Sequence, residues 1–126
     1  MLKRFTYAIL SSIILIFCLA CEDQKQLKYY YSVNEVLEKV NDGELISTEY
    51  APTYFNVAGY ISKIDDTYSS IEIHDANETT TLLCSCQSEK CIEQLHDYKV
   101  NRKVWLTGRL IEDDKQVVFI ITEIAT

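Results

Sequence analysis

The chain has 126 residues with 12 basic and 19 acidic side chains, giving a formal net charge of −7. Such a surface repels phosphate backbones, so it excludes nucleic-acid binding driven by a broad basic patch. Only three glycines and one proline occur, which excludes low-complexity and collagen-like segments, and the length suits a single folded domain.

The amino terminus has the organisation of a secretory signal peptide. Lys3 and Arg4 form a short basic start, and the sixteen residues 5–20 that follow carry no charge. As a helix, sixteen residues span about 24 Å, which is less than the roughly 30 Å of a bilayer's hydrocarbon core. The pattern therefore predicts a signal peptide over residues 1–20, with an uncleaved anchor helix as the alternative.

The end of this apolar run is marked by a cysteine. Leu19 and Ala20 precede Cys21, and Glu22 and Asp23 follow it. This boundary resembles the lipobox of bacterial lipoproteins. The resemblance implies cleavage before Cys21, a thioether-linked diacylglycerol on its sulfur and acylation of the new amino terminus. Two or three acyl chains hold a soluble domain stably on a membrane. The acidic pair resembles sorting residues that favour the outer over the inner membrane of the bacterial cell envelope.

Cleavage would leave an acidic mature chain. Without Lys3 and Arg4 the count is 10 basic against 19 acidic residues, a net charge of −9. We expect residues 21–31, which include EDQKQLKYYY, to form a lipidated tether, and residues 32–126 to form the domain.

The first element after the tether is predicted to be a short amphipathic helix. Ser32 and Glu35 have the spacing of a capping box. Gly43 suits the position just after a helix, where a positive φ costs little. The helix is therefore expected over about residues 33–42. The apolar residues that share one face at helical spacing are Val33, Val36, Leu37 and Val40.

Beyond the helix the apolar period changes to two, which predicts strands. A helix capped by Ser88 is expected between the third and fourth strands, because Cys91, Ile92 and Leu95 form one apolar stripe. The fifth segment is almost continuously apolar, as expected of a strand that is buried on both sides or closes a barrel. The five strand segments are YFNVAGYISKI (54–64), SSIEIHD (69–75), TTTLLCSC (79–86), RKVWLTGRLIE (102–112) and QVVFIITEI (116–124).

Two of these strands contain a glycine in the same pattern. FNVAGYI and VWLTGRL place Gly59 and Gly108 at equivalent positions, where a bulge would let a strand curl around a small barrel. Three strands, a helix and two strands resemble an OB-fold, a mainly β fold that is a five-stranded Greek-key barrel. Residues 54–124 resemble the tRNA_anti-like OB-fold group of small exported bacterial proteins. The cysteine that this group often carries in its last strand is absent from VFIITEIAT.

Three cysteines remain for chemistry once the signal peptide is cleaved and Cys21 is lipidated. Cys86 and Cys91 could close a short loop as a disulfide, and Cys84–Cys91 is a variant of that pairing. Alternatively the cysteines are small buried apolar residues. A weak metal candidate adds His96, since three thiolates and an imidazole could hold tetrahedral zinc.

Four residues are candidates for a ligand-binding face: Tyr60, His74, Trp105 and Arg109. Their alternation points them outward, where aromatic rings can stack on a ligand and Arg109 can pair with an anion. No phosphate loop, carboxylate pair or metalloprotease motif occurs, so we expect no catalysis and no cofactor.

The sequence thus predicts a non-catalytic lipoprotein. Its OB-fold domain would bind a protein or glycan partner in the cell envelope. Two alternatives belong to other classes: single-stranded nucleic-acid binding, which the acidic charge disfavours, and thiol or metal handling by Cys84, Cys86 and Cys91.

Overall fold

A computed structural model describes residues 29–48 and 50–125. Two helices and five strands follow the predicted order. The predicted signal peptide, Cys21 and most of the predicted tether lie outside the described residues. No helix within the described ranges is long and apolar enough to cross a membrane. The elements are α1 (Val33–Asn41), β1 (Tyr54–Ile64), β2 (Ser70–His74), β3 (Thr81–Cys86), α2 (Glu89–Leu95), β4 (Lys103–Asp113) and β5 (Gln116–Ile124).

The strands close into a barrel in the order β1-β2-β3-β5-β4. Neighbouring strands are antiparallel except β3 and β5, which run parallel. The five-stranded Greek-key barrel predicted from the sequence is therefore confirmed. The apolar run at 116–124 is β5, which closes the barrel between β3 and β4. Both faces of β5 are covered at its centre, where the consecutive residues Phe119, Ile120 and Ile121 are buried.

The barrel interior is wholly apolar. Alternate residues of β1 and β4 point inward and are buried, and no polar or charged residue is buried in the described part of the chain. Burial of each of these aliphatic side chains stabilises the folded state by about 1.5–3 kcal/mol. Polar and charged side chains of the described residues are therefore confined to the outside of the barrel.

Helix α1 covers one end of the barrel and is held there by a long-range cap. The predicted capping box of Ser32 and Glu35 is present. In addition, the Asp75 carboxylate accepts the N–H groups of Val33 and Asn34, each at 2.8 Å. A carboxylate at a helix amino terminus satisfies otherwise unpaired donors and favours the helix dipole. The start of α1 is thereby fixed to the end of β2.

The second helix follows the other end of β3. Ser88 caps α2 by accepting the N–H of Cys91, as predicted, and Cys91 and Leu95 are buried.

The first helix ends as predicted, since Gly43, just beyond it, has a φ of +79°.

The two glycines serve different purposes. The register of β4 and β5 shifts between Thr107 and Gly108, so the predicted bulge occurs there. A Cβ on Gly108 would collide with the carbonyl oxygen of Ile120. The register of β1 with β2 shifts between Ile61 and Lys63, two residues after Gly59 rather than at the glycine. Gly59 is needed instead because a Cβ would lie 3.1 Å from Val33 of α1.

Replacement of Gly108 by alanine is expected to lower the free energy of unfolding by about 2 kcal/mol or more, because the added Cβ meets backbone rather than a mobile side chain. Urea denaturation followed by circular dichroism measures the effect. Gly43→Asn is the control, since nothing lies within 4 Å of a Cβ there and asparagine tolerates a positive φ. Equal midpoints for Gly108→Ala and the unmodified chain would contradict the argument.

Candidate functional site

The outer face of β1 and β4 carries aromatic and basic side chains in paired positions. Ala58 lies opposite Trp105, and Tyr60 lies opposite Lys103. These residues surround a concavity of about 410 Å³, which we call the aromatic slot. It is lined by Tyr30, Tyr31, Ser32, Glu35, Ala58, Gly59, Tyr60, Asp75, Ala76, Lys103 and Trp105.

The slot has a small-residue floor and aromatic walls. Ala58 offers only a methyl group between the rings, and Trp105 remains 40% exposed. An exposed tryptophan keeps a large apolar surface in water, which is unfavourable unless a ligand covers it part of the time. The size and lining suit a small ligand, since ligand pockets commonly enclose about 300–1,000 Å³.

Lys103 is held between two rings. Its Nζ lies 5.3 Å from the centroid of Trp105 and 5.9 Å from that of Tyr60. Such cation–π contacts contribute about 0.5–1 kcal/mol each at exposed sites. No carboxylate of the described residues forms an ion pair with this ammonium group. Lys103 can therefore donate hydrogen bonds to a ligand without first leaving a salt bridge.

Two carboxylates form the opposite rim. Glu35 accepts the Tyr29 hydroxyl at 2.8 Å and the Ser32 N–H at 3.2 Å. The hydrogen bond from Tyr29 is the main reason why the pKa of Glu35 is lowered from its ordinary value. Each oxygen of Asp75 accepts one N–H from α1. A carboxylate oxygen can accept a second hydrogen bond, so both groups remain able to accept from a ligand.

The structure brings three of the four predicted ligand residues to this end of the barrel. Tyr60 and Trp105 line the slot, and the His74 ring lies 6.3 Å from that of Tyr60. Its Nδ1 is hydrogen-bonded to the carbonyl oxygen of Asp75 at 2.7 Å. Arg109 is on the same outer face but four residues from Trp105, about 13 Å along the strand, and it is not part of the slot.

Of the eleven lining residues, sequence reasoning identified Tyr60 and Trp105 as site residues and missed the other nine. Lys103 and Ala58 follow from the strand register, which the sequence alone did not supply. Tyr30 was assigned to the tether, but residues 29–31 pack on the barrel: Tyr31 donates its N–H to Asn56 and accepts that of Ala58. The repeated tyrosines at 29–31 were the signal for this packing.

The face that OB-folds commonly use, on strands two and three with the adjoining loops, is acidic here. The loop after β1 contains Asp65 and Asp66, and the β4–β5 hairpin contains Asp113 and Asp114. A depression of about 160 Å³ lies next to Glu72 and Lys63. Such a face repels phosphate groups.

Asp65 organises the first of these loops. Its carboxylate accepts the N–H groups of Ser69 and Ser70 and the hydroxyls of Thr67 and Ser69 at 2.8–3.0 Å. The hydrogen bond from the Ser70 N–H is the largest cause of a pKa lowered to about 2. Asp65 is therefore a structural residue of the turn.

The three cysteines do not form a metal site. Cys86 and Cys91 are joined as a disulfide, while Cys84 is a free, fully buried thiol. His96 stacks on Tyr68 at 4.1 Å instead of facing the sulfurs. No group of three potential ligands is close enough to hold a metal in residues 29–48 and 50–125. The weak zinc candidate of Cys84, Cys86, Cys91 and His96 is therefore wrong.

Comparison with known proteins identifies the fold. No protein-family model and no curated sequence matches the chain. Among solved structures, OBody AM1L10 bound to hen egg-white lysozyme has a TM-score of 0.53 at 14% identity, with coverage of 59% of this chain and 77% of its own. The S. pombe Stn1–Ten1 complex has a TM-score of 0.51 at 14% identity, covering 68% and 73%. At these identities the likeness establishes the OB-fold alone.

A third similar structure is far larger. Asparaginyl-tRNA synthetase from Pyrococcus horikoshii, complexed with asparaginyl-adenylate, covers 79% of this chain at 12% identity with a TM-score of 0.51. This chain spans only 22% of that protein. The similarity concerns one domain of the synthetase and describes the fold of that part.

The cysteines should differ in their reaction with iodoacetamide. We expect peptide mapping to find Cys84 modified only after denaturation, because burial raises the pKa of its thiol and blocks access. Cys86 and Cys91 should be modified only after reduction. The double variant Cys86→Ser/Cys91→Ser should lose about 2 kcal/mol of stability, since the disulfide closes a short loop. Labelling of Cys86 in the native, unreduced protein would contradict this assignment.

Removal of the Asp65 charge should destabilise the protein in a pH-dependent manner. With its pKa lowered to about 2 in the folded state from 3.8, ionised Asp65 stabilises the fold above pH 3.8, and the stabilisation disappears as the pH falls through about 2. Asp65→Asn should therefore cost about 1 kcal/mol at pH 7, allowing for partial exposure to solvent.

The difference between Asp65→Asn and the unmodified chain should shrink as the pH falls from 4 towards 2, measured by urea denaturation at each pH. Asp66→Asn, at the exposed neighbouring position, is the matched control and should change stability little at any pH. An Asp65→Asn effect that is independent of pH would rule out the charge as its cause.

Proposed function

We propose that this chain is a lipid-anchored, non-catalytic binding module of the bacterial cell envelope. Its OB-fold domain binds a protein or glycan partner in the aromatic slot, and Cys21 carries the anchor. The single observation that supports the binding role is the exposed Trp105 beside Ala58, next to the Lys103 ammonium group, which forms no ion pair with a carboxylate of residues 29–48 and 50–125. The resemblance of residues 54–124 to the tRNA_anti-like group supports an exported, anchored module of this kind.

The surface chemistry supports binding rather than catalysis. In the described residues the buried thiol Cys84 has a raised pKa, which makes it a poor nucleophile. The Asp75 and Glu35 carboxylates hold the start of α1 and keep lone pairs for a ligand's donors. Aromatic walls with hydrogen-bond acceptors suit the binding of a ligand.

Charge disfavours the nucleic-acid alternative. Phosphate binding needs several lysines or arginines along one surface. The slot has Lys103 alone, with Glu35 and Asp75 on its rim. The face on β2 and β3 is bordered by acidic loops. Both surfaces therefore favour a partner that lacks a phosphate backbone.

Similar structures support a protein partner as one option. OBody AM1L10 is bound to lysozyme, and Stn1–Ten1 is a complex. A domain of this fold can thus bind another protein.

The proposed anchor would keep the slot near the lipid surface. Seven residues lie between Cys21 and Tyr29, and the eight steps from one to the other reach at most about 29 Å. Tyr30 lines the slot. A partner bound there would lie close to the membrane, which we take to be the outer membrane.

The anchor is tested by fractionating cells that express the native chain or Cys21→Ser. The native chain should be cleaved before Cys21, incorporate labelled palmitate and sediment with membranes. The Cys21→Ser chain should incorporate no label and remain uncleaved. A Cys21→Ser chain that is still trimmed and still labelled would overturn the lipid anchor.

The binding role is tested by crosslinking in the native envelope. Trp105→Ala should reduce recovery of the crosslinked partner at least tenfold, because it removes one wall of the slot. Tyr54→Ala is the matched control: Tyr54 is 58% exposed on the same face, about 20 Å along β1 from Tyr60. A role for the slot would be contradicted if both variants reduced the recovery of the crosslinked partner equally, or if Trp105→Ala did not reduce it.

A further inference from the structure

The slot combines three kinds of group whose joint presence narrows the ligand class. Aromatic rings of Tyr60 and Trp105 form walls, Lys103 supplies a donor, and the Glu35 and Asp75 carboxylates supply acceptors. In binding sites, aromatic rings combined with hydrogen-bond donors and acceptors suit ligands that have an apolar face and hydrogen-bonding groups along its edge. The ligand should therefore be flat, small and rich in hydroxyl groups.

We propose that the occupant of the aromatic slot is a neutral carbohydrate, one sugar ring of which stacks on Trp105 over the methyl group of Ala58. This inference rests on the proposed function and specifies the partner of the same site. The sugar's C–H face covers the exposed indole, and its hydroxyls meet Lys103 on one side and Glu35 and Asp75 on the other.

Hydrogen-bond capacity supports the hydroxyl assignment. Each Asp75 oxygen accepts one N–H at 2.8 Å and retains a lone pair. Glu35, with its lowered pKa, is an ionised acceptor at neutral pH. A sugar hydroxyl donates to such oxygens and also accepts from an ammonium group. The hydroxyls of one sugar ring can therefore hydrogen-bond to the carboxylates on one side of the slot and to Lys103 on the other.

Charge supports a neutral ligand over an anionic one. One cation, Lys103, faces two carboxylates across the slot, within a chain of net charge −7. A uronic acid, a sialylated glycan or a sugar phosphate would bring further negative charge to that rim and be repelled. Neutral hexose and N-acetylhexosamine units avoid this repulsion.

Size supports a sugar over a protein surface. A stable protein interface buries roughly 800 Å² on each partner. Among the described residues the exposed large apolar side chains are scattered, and only Trp105 of them lines the slot. The concavity of about 410 Å³ has the volume of one or two sugar rings rather than of a broad interface.

A second cleft on the other side of Trp105 and Lys103 can hold the remainder of a longer glycan. Its volume is about 480 Å³. Because Trp105 and Lys103 border both concavities, they form a ridge that a chain of sugars can cross. The residues lining this cleft are Gln94, Asp97, Tyr98, Arg102, Lys103, Trp105 and Ala125.

The test uses the full mature chain in phosphatidylcholine nanodiscs, which contain no sugar detergent. The chain is applied to an array of neutral and anionic glycans, and the strongest neutral di- or trisaccharide is then titrated. Trp105 is the only tryptophan, so its emission reports occupancy of the slot directly. We expect saturable quenching or a blue shift with a Kd in the micromolar to low millimolar range.

Matched variants separate the slot from the rest of the face. Ala58→Leu fills the floor while keeping the reporter, and should weaken binding at least tenfold. Lys103→Ala should weaken it several-fold by titration, and Trp105→Ala should abolish the array signal. Arg109→Ala and Tyr54→Ala, on the same face outside the slot, should leave affinity unchanged. Unfolding midpoints of all variants show that loss of binding is not loss of fold.

The possible results distinguish failure of the carbohydrate inference from failure of the proposed binding function. The carbohydrate inference is overturned if no neutral glycan binds, if only anionic glycans bind, or if neutral binding is unaffected by Ala58→Leu and Trp105→Ala. If no glycan binds but a crosslinked protein depends on Trp105, the carbohydrate assignment fails and the proposed binding function stands. If neither a glycan nor a crosslinked partner depends on the slot, both fail.

Discussion

Closure of the barrel by β5 is the constraint on which the rest of the structure depends. β5 pairs in parallel with β3 and antiparallel with β4, and so removes the last free edges of the sheet. A barrel of five strands is narrow, so its interior holds only side chains, and these are apolar throughout the described residues. With no room inside for a ligand, recognition has to occur on the outer face or at the barrel ends.

The outer face acquires its chemistry from the register of β1 and β4. Ala58 opposite Trp105 creates a gap beside a large ring, and Tyr60 opposite Lys103 places a cation between aromatic walls. Helix α1 adds the acidic rim because Asp75 holds its first turn against the barrel. The slot is thus assembled from four segments of the chain: residues 30–35, β1, the turn after β2, and β4.

The fold was predictable from the sequence because each element follows a local rule. The spacing of valines, the Ser32–Glu35 box and Gly43 delimit α1, and alternation delimits the strands. The site was predictable only in part. Alternation shows that Tyr60 and Trp105 point outward, but it cannot show that Arg109 lies beyond the slot or that Lys103 lies inside it. Those relations depend on inter-strand register, which bulges at Thr107 and Ile61 shift.

Asp75 links the slot to the start of α1 from a distant part of the chain. Its carboxylate begins the helix that covers the barrel and also forms part of the ligand rim. A ligand that donates to those oxygens competes with, or polarises, the hydrogen bonds that Asp75 accepts from the Val33 and Asn34 N–H groups of α1. Under the proposed binding role, a substitution of Asp75 would remove a ligand acceptor and the cap of the first turn of α1 at the same time.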